Sequence, residues 1–243
     1  DPDISLMGGG HCNELLAERA GETILLVSNG NFRSYARAQF EYDLGSRRLL
    51  SSSFSIEQNE GGAADAPVQL LIAKWRSATE AQLSGELGFS SREYPANDER
   101  LQRAVVESWL RLDSSADIAI NNRLALRAPL PSGRLTLADV VGVLPFENTV
   151  IAVELNGAEI LQLIGQMCIR DRRPFVAGLI RTENDWRLRG SGRLIDTAET
   201  YRVLINSFMY EGGAGYDAIA EFDANGFDTE IPYRQPLSGW LRE

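Results

Sequence analysis

Residues 117–157 read DIAINNRLALRAPLPSGRLTLADVVGVLPFENTVIAVELNG, and the order of elements in this stretch decides the fold. Asp117 to Ile120 has the composition of a short strand, and it runs into a polar loop holding Asn121, Asn122 and Arg127. Thr136 to Val143 is predicted as a helix. Leu144, Pro145 and Phe146 follow, and a second strand is predicted to end at Leu155. A proline before a large ring fixes the backbone just past a helix end. Phe146 is therefore expected to be held outward at a loop, and loops braced by regular elements are where binding groups usually sit.

Working outward, Leu101, Val105, Trp109 and Leu112 recur at helical spacing, so that face is expected to be buried, with Asn97 as the cap. Pro67 suits the first turn of a further helix across Val68 to Glu86. Further upstream, Thr23 to Ser28, Tyr35 to Asp43 and Arg48 to Ile56 carry β character, with turns at Asn29-Gly30 and Leu44-Gly45-Ser46. Asp3 to Met7 alternates and stops at three glycines before His11, an abrupt start that resembles the middle of something larger. Composition shifts at Glu57 to Ala66, the candidate boundary or linker.

Downstream, Asn156-Gly157 turns the chain into a short apolar helix over Ala158 to Ile164. Trp186 to Arg189 and Tyr201 to Ser207 read as strands. The latter runs into Phe208 and a Gly212-Gly213-Ala214-Gly215 segment, whose glycines imply unusual dihedrals or a close approach. Tyr233 to Arg242 closes the chain as a helix, and residues 166–173 fit neither neighbouring pattern. Strands and helices mix without strict alternation, so the fold class is α+β.

The 243 residues are 44% hydrophobic and 24% charged, which is ordinary for a globular chain. A net charge of −10 argues against a nucleic-acid partner, because affinity for a phosphate backbone comes mainly from Lys and Arg. A small anion is still compatible, since a local pair of arginines can fork onto it. No apolar run is long enough for a bilayer and no signal core opens the chain, so no membrane partner is expected. Cys12 and Cys168 indicate no particular redox compartment.

Phe146 and Phe208 each border a regular element and a loop, and two facing rings would sandwich a flat heterocycle. On residue type alone both are more often core side chains. Arg127, beside Asn122 in one loop, is suited to fork onto a phosphate or ribose oxygen; its bland alternative is a solvated charge. His11 is the only histidine, and one histidine makes no two-metal centre. Neither a Gly-x-Ser-x-Gly turn nor a phosphate loop is present.

Four segments together resemble the 5′-nucleotidase family of metallophosphoesterases. Asp3 to Asn13, ending Gly-Gly-Gly-His-Cys-Asn, is similar to its last metal-ligand motif, and Asp117 to Arg127 to its Asn-x-Gly-Gly-Ile-Arg substrate loop. Val143 to Gly157, with Leu-Pro-Phe-Glu-Asn-Thr, and Asn206 to Tyr216, with Gly-Gly-x-Gly-Tyr, complete the set in the family's order. The resemblance implies a hydrolase of phosphoesters located in the periplasm, at the cell surface or outside the cell. It implies a remnant of the metal domain at 1–56, a linker and linking helix at 57–80, and the C-terminal domain at 81–243. Phe146 and Phe208 would stack on the base, Asn122 and Arg127 would contact the nucleotide, and His11 would be one ligand of a two-metal site. The Asp-x-His and Asn-His-Asp/Glu segments for the other ligands are absent, so this chain alone is expected to bind no divalent metal and to hydrolyse nothing without the missing N-terminal metal domain. Arg123, Leu124 and Ala125 stand where glycines are expected, and Ala214 where an aspartate would accept from ribose hydroxyls. Two alternatives are a non-catalytic binding or interaction domain that kept the fold, and a relative acting on cyclic or sugar nucleotides.

Overall fold

The computed structural model describes residues 4–10, 14–165, 174–183 and 185–243. The readings of His11, of Cys12 and of 166–173 fall outside them. Internal contacts divide the chain into two units, Asp1–Ile72 and Ala73–Glu243.

Up to Gln58 the described elements of the first unit are all strands. Strands β1 (Leu6–Gly9), β2 (Leu16–Ala20) and β3 (Thr23–Val27) form a three-stranded sheet with β3 central, parallel to β1 and antiparallel to β2. Strands β4 (Ser34–Asp43) and β5 (Arg48–Gln58) form a long hairpin. Its turn is closed by Asp43, whose carboxylate accepts from the backbone N–H groups of Gly45 and Ser46. The Ser46 hydroxyl and those N–H groups hold this carboxyl below the usual carboxylate range. Register sets Ala36 and Ala38 against Ile56 and Phe54 on one face of the hairpin. Among the described residues, Ile24 and Leu26 are the only buried apolar side chains of this unit.

Helix α1 (Ala66–Leu83) runs across the division between the units, and the Asp65 carboxylate accepts from the Val68 N–H in its first turn at 3.0 Å. None of its side chains is buried, and Leu71 and Trp75 are both exposed.

The second unit places the site. In chain order its elements are β6 (Glu86–Ser90), α2 (Glu99–Leu112), β7 (Ile118–Asn121), β8 (Gly133–Thr136), α3 (Leu137–Val143), β9 (Thr149–Asn156), α4 (Gly157–Gly165), β10 (Phe175–Ala177), β11 (Leu179–Arg181), β12 (Trp186–Leu188), β13 (Thr200–Asn206), α5 (Ser207–Tyr210), α6 (Ala218–Phe222), β14 (Phe227–Pro232) and α7 (Gln235–Trp240). A five-stranded mixed sheet runs β10-β7-β13-β9-β14, with β7 and β13 parallel and the other neighbours antiparallel. The two-stranded antiparallel pairs β6-β8 and β11-β12 stand apart from it.

Both faces of this sheet are covered, and the period-2 alternation of its strands sorts residues between two cores. Ile118, Ile120, Ile151, Val153, Leu155, Val203 and Ile205 pack with Ile160 and Leu163 of α4. The intervening Ala119, Val150, Ala152 and Leu204 pack with Leu101, Val105 and Trp109 of α2 and Val140 and Val143 of α3. Small residues on that second face accompany the bulk of Trp109, which is fully buried and donates its indole N–H to the Tyr233 carbonyl at 2.9 Å.

Local chemistry sets the helix starts. Asp98, not Asn97, caps α2: its carboxylate accepts from the Arg100 N–H at 2.8 Å and pairs with the Arg100 guanidinium, which brings its pKa down to about 2. Leu101, Val105 and Trp109 are buried as their spacing predicts, whereas Leu112, in the last turn, is exposed. Thr136 and Asp139 form a reciprocal cap on α3, so Thr136 lies just outside the helix it was expected to open. Asn156 and Glu159 do the same for α4. The closing helix is shorter than expected, Gln235 to Trp240. Strands β6, β8 and β14 went unread because they are short and carry Gly, Pro or charged residues in place of alternation.

Candidate functional site

Topology brings the predicted ligand residues to one end of the sheet. Strand β13 ends where antiparallel β9 begins, with Asn206 opposite Val150. Phe146, just before β9, and Phe208, just after β13, therefore emerge at the same sheet end. Strand β7 runs parallel to β13, so the loop after it, with Asn122 and Arg127, emerges there too. A backbone-to-side-chain bond ties the ends together: the Thr149 N–H donates to the Ser207 hydroxyl at 3.2 Å.

Phe146 is 41% exposed and Phe208 is 42% exposed. Neither ring belongs to either core. The loop of Phe146 is pinned from behind by Tyr233 and Arg234: the Phe146 N–H donates to the Tyr233 hydroxyl at 3.4 Å, and Arg234 donates to the Phe146 carbonyl at 2.8 Å while pairing with Glu147. Burial pushes the Tyr233 phenol up to about 12, so it stays a neutral hydroxyl at ordinary pH. The Arg127 guanidinium lies 5.4 Å from the Phe146 ring centre, and its backbone N–H donates to the Val143 carbonyl. Cation–π contacts of this exposed kind contribute about 0.5–1 kcal/mol. Among the described residues no carboxylate pairs with Arg127.

Phe208 sits on the one-turn helix α5. Its ring lies directly over Gly213, where an added Cβ would come within 2.4 Å of the ring and 2.5 Å of the Phe208 carbonyl oxygen. Only a residue without a side chain fits there. Gly212 and Gly215 take positive φ, as the glycine-rich sequence predicts, but so does Ala214, at φ 58°. That conformation disfavours an alanine and is better tolerated by aspartate or asparagine.

In the loop after β7, Arg123 to Ala125 form a short 3-10 turn, with the Arg123 guanidinium 4.2 Å from the Phe175 ring centre and Leu124 exposed. Asn122 is 4% exposed, and its side-chain oxygen accepts from the Asn206 amide at 2.8 Å. Its side chain therefore faces inward, toward Asn206. Sequence reasoning placed Asn121 in the polar loop and Gly213 in a segment of unusual dihedrals or close approach, but gave no role to Asn206 or to the Tyr233-Arg234 brace. The one local sign for Asn206 is an asparagine between a strand and a short helix, a usual capping position.

His11 lies outside the described residues. Among those described, no group of three His, Cys, Asp or Glu side chains converges on a point that would hold a metal ion, so no chemical step is assigned to a metal on this chain. A groove of about 520 Å³ between α2 and α7 includes Arg111, Trp240 and Arg242, and none of Asn122, Arg127, Phe146 and Phe208 lines it.

The model of the 5′-nucleotidase C-terminal domain matches residues 77–221, more than half of the chain. The chain is 31% identical over 126 residues to the trifunctional nucleotide phosphoesterase of Bacillus subtilis, covering 44% of this chain and 9% of that protein. It is 30% identical over 115 residues to the 5′-nucleotidase of Vibrio cholerae, covering 44% and 21%. The crystal structure of a 5′-nucleotidase precursor from Thermus thermophilus superposes with a TM-score of 0.74 at 18% identity, over 98% of this chain and 56% of that one. The chain thus spans a minor part of these curated relatives and about half of the solved neighbour. With the match across most of its second unit and the mixed α+β architecture in agreement, the chain belongs to the 5′-nucleotidase family and carries that family's C-terminal domain.

Proposed function

We propose that this chain is the carboxy-terminal part of a 5′-nucleotidase-like phosphoester hydrolase, and that its second unit binds a nucleotide by stacking the base between Phe146 and Phe208. The observation that carries this reading is the pair of half-exposed rings at one sheet end, outside both cores. Arg127, held against one ring and unpaired by any described carboxylate, is placed to meet phosphate or ribose, and Asn122 completes the polar side. Metal-dependent phosphate release belongs, in this reading, to an N-terminal metal domain of the intact enzyme, to which the strands of residues 1–56 and His11 contribute, with 57–80 linking to the substrate domain at 81–243. The few buried residues of the first unit and the exposed apolar side chains of α1 support its need for further partners. Without that domain the chain hydrolyses no nucleotide. A place outside the cytoplasm is supported by the Thermus neighbour's being a precursor.

Calorimetric titration with AMP and adenosine tests the stacking. Phe208→Ala is expected to weaken AMP by about 5- to 150-fold, the equivalent of about 1–3 kcal/mol of stacking. Equal affinity, or no heat with wild type, overturns it.

One observation favours a second reading, a non-catalytic domain that kept the fold. Ala214 offers no carboxylate and sits in a backbone conformation that suits aspartate better.

A further inference from the structure

Behind the exposed rings lies a buried cluster of three asparagine side chains, of which the ligand-binding reading uses Asn122 alone. Asn206 and Asn121 are fully buried, and Asn122 nearly so. The Asn206 amide nitrogen donates to the side-chain oxygens of Asn121, at 2.6 Å, and Asn122, at 2.8 Å. Its own oxygen accepts from the Met209 N–H at 2.8 Å and so caps α5. One side chain thus satisfies the start of the helix that carries Phe208 and, through a second arm, the loop that carries Arg127. These segments lie 84 and 85 positions apart in sequence. The cluster is poorly compensated elsewhere, since the Asn121 amide nitrogen finds no acceptor among the described residues. A buried polar group with unused hydrogen-bonding capacity is costly, so its retention calls for a reason beyond stability.

We propose that Asn206 is a positioning residue: by bonding Asn121, Asn122 and the α5 N-terminus at once, it holds the Asn122–Arg127 loop and Phe208 in the mutual register that a ligand between them requires. This rests on the stacking reading above for its functional meaning. The mechanical part stands on the three bonds alone. Apolar packing would fix distances between these segments more loosely, because it is non-directional, whereas an amide with one donor group and one acceptor oxygen fixes orientation.

Asn206→Ser separates the two arms. A serine is also a good cap, so the Met209 N–H keeps an acceptor, but the shorter side chain no longer reaches Asn121 or Asn122. Hydrogen exchange on the ligand-free chain reads the mechanical part. The Ala125 and Arg127 N–H groups, which donate to the Asn122 and Val143 carbonyls, are expected to exchange about tenfold faster, as the Asn206 bonds to Asn121 and Asn122 that anchor this loop are lost. Amides of central strands β9 and β13 are expected to stay at wild-type rates. A purely structural role would shift both sets together. Should Asn206→Ser fail to fold, Asn122→Ala removes the same loop bond while leaving the cap, and the same local acceleration is expected. AMP titration of Asn206→Ser is expected to show a loss of about tenfold. Wild-type exchange at Ala125 and Arg127 in the variant that folds, or acceleration shared by the whole sheet, overturns the proposal. Wild-type AMP affinity despite a loosened loop overturns the functional half. If wild type itself binds no AMP, the stacking reading fails, and exchange alone then decides whether Asn206 couples the segments.

Discussion

Gly213→Ala tests the pose of the Phe208 ring without touching the ring. An added Cβ would lie 2.4 Å from the Cε2 and Cζ atoms of Phe208 and 2.5 Å from its carbonyl oxygen. Contacts that short cannot persist, so something must move. The carbonyl is backbone, held in place by the capped turn of α5, whereas the ring is 42% exposed and free to swing toward solvent. Overpacking of this kind costs about 1–3 kcal/mol of stability. The larger effect is on binding: once the ring leaves the face it presents, its share of stacking goes, and AMP is expected to weaken by about 5- to 150-fold, again about 1–3 kcal/mol. Melting curves and calorimetric titration on wild type, Gly213→Ala, Phe208→Ala and the double variant separate the causes. If the alanine weakens binding by displacing the ring, then removing the ring removes that effect and the double variant binds no worse than Phe208→Ala alone, whereas the contact with the Phe208 carbonyl oxygen remains and keeps its cost in stability. Wild-type affinity in Gly213→Ala, or losses that simply add in the double variant, refutes this reasoning.

Ala214→Asp is expected to gain nucleoside affinity, measured by titration with adenosine, and to leave the melting temperature equal or higher, because the residue at φ 58° then has a side chain that tolerates the left-handed region. A gain in stability without a gain in affinity favours the non-catalytic reading. Tyr233 makes the chain sensitive to alkali. Its phenol titrates near 12 in the folded state against 10.0 as the reference, chiefly because burial disfavours the phenolate. The folded state therefore keeps a proton that the unfolded chain gives up, and stability is expected to fall as pH rises from about 10 to about 12. Denaturant melts across that window should show the fall in wild type and a smaller one in Tyr233→Phe.

How much was legible in the residues alone depends on the range of the interaction concerned. The helix over Glu99–Leu112, the strand read as ending at Leu155, one residue short of its end, and the turn at Asn156-Gly157 follow from neighbours within a few positions, whose spacing and capping groups act over one or two turns. The exit of Phe146 from the end of α3 was also legible locally, through Pro145, whereas the Tyr233 and Arg234 contacts that pin its loop come from about 87 positions away. The slip from Asn97 to Asp98 has the same scale: either side chain suits a cap, and the salt bridge to Arg100 favours the aspartate. The strands of low alternation, β6, β8 and β14, escaped because they gain their order from a paired neighbour rather than from their own pattern.

Sequence by itself determined the class of fold, the kinship and the central stretch, because periodicity and short motifs are written in contiguous residues. Only the tertiary structure decided that the ends of β7, β9 and β13 meet, that Asn206 spends its amide on Asn121 and Asn122, and that Gly213 lies beneath Phe208. Strand order and the partner of a buried amide depend on chain segments about 85 positions apart packing at once, and no local pattern encodes which of the possible partners is met.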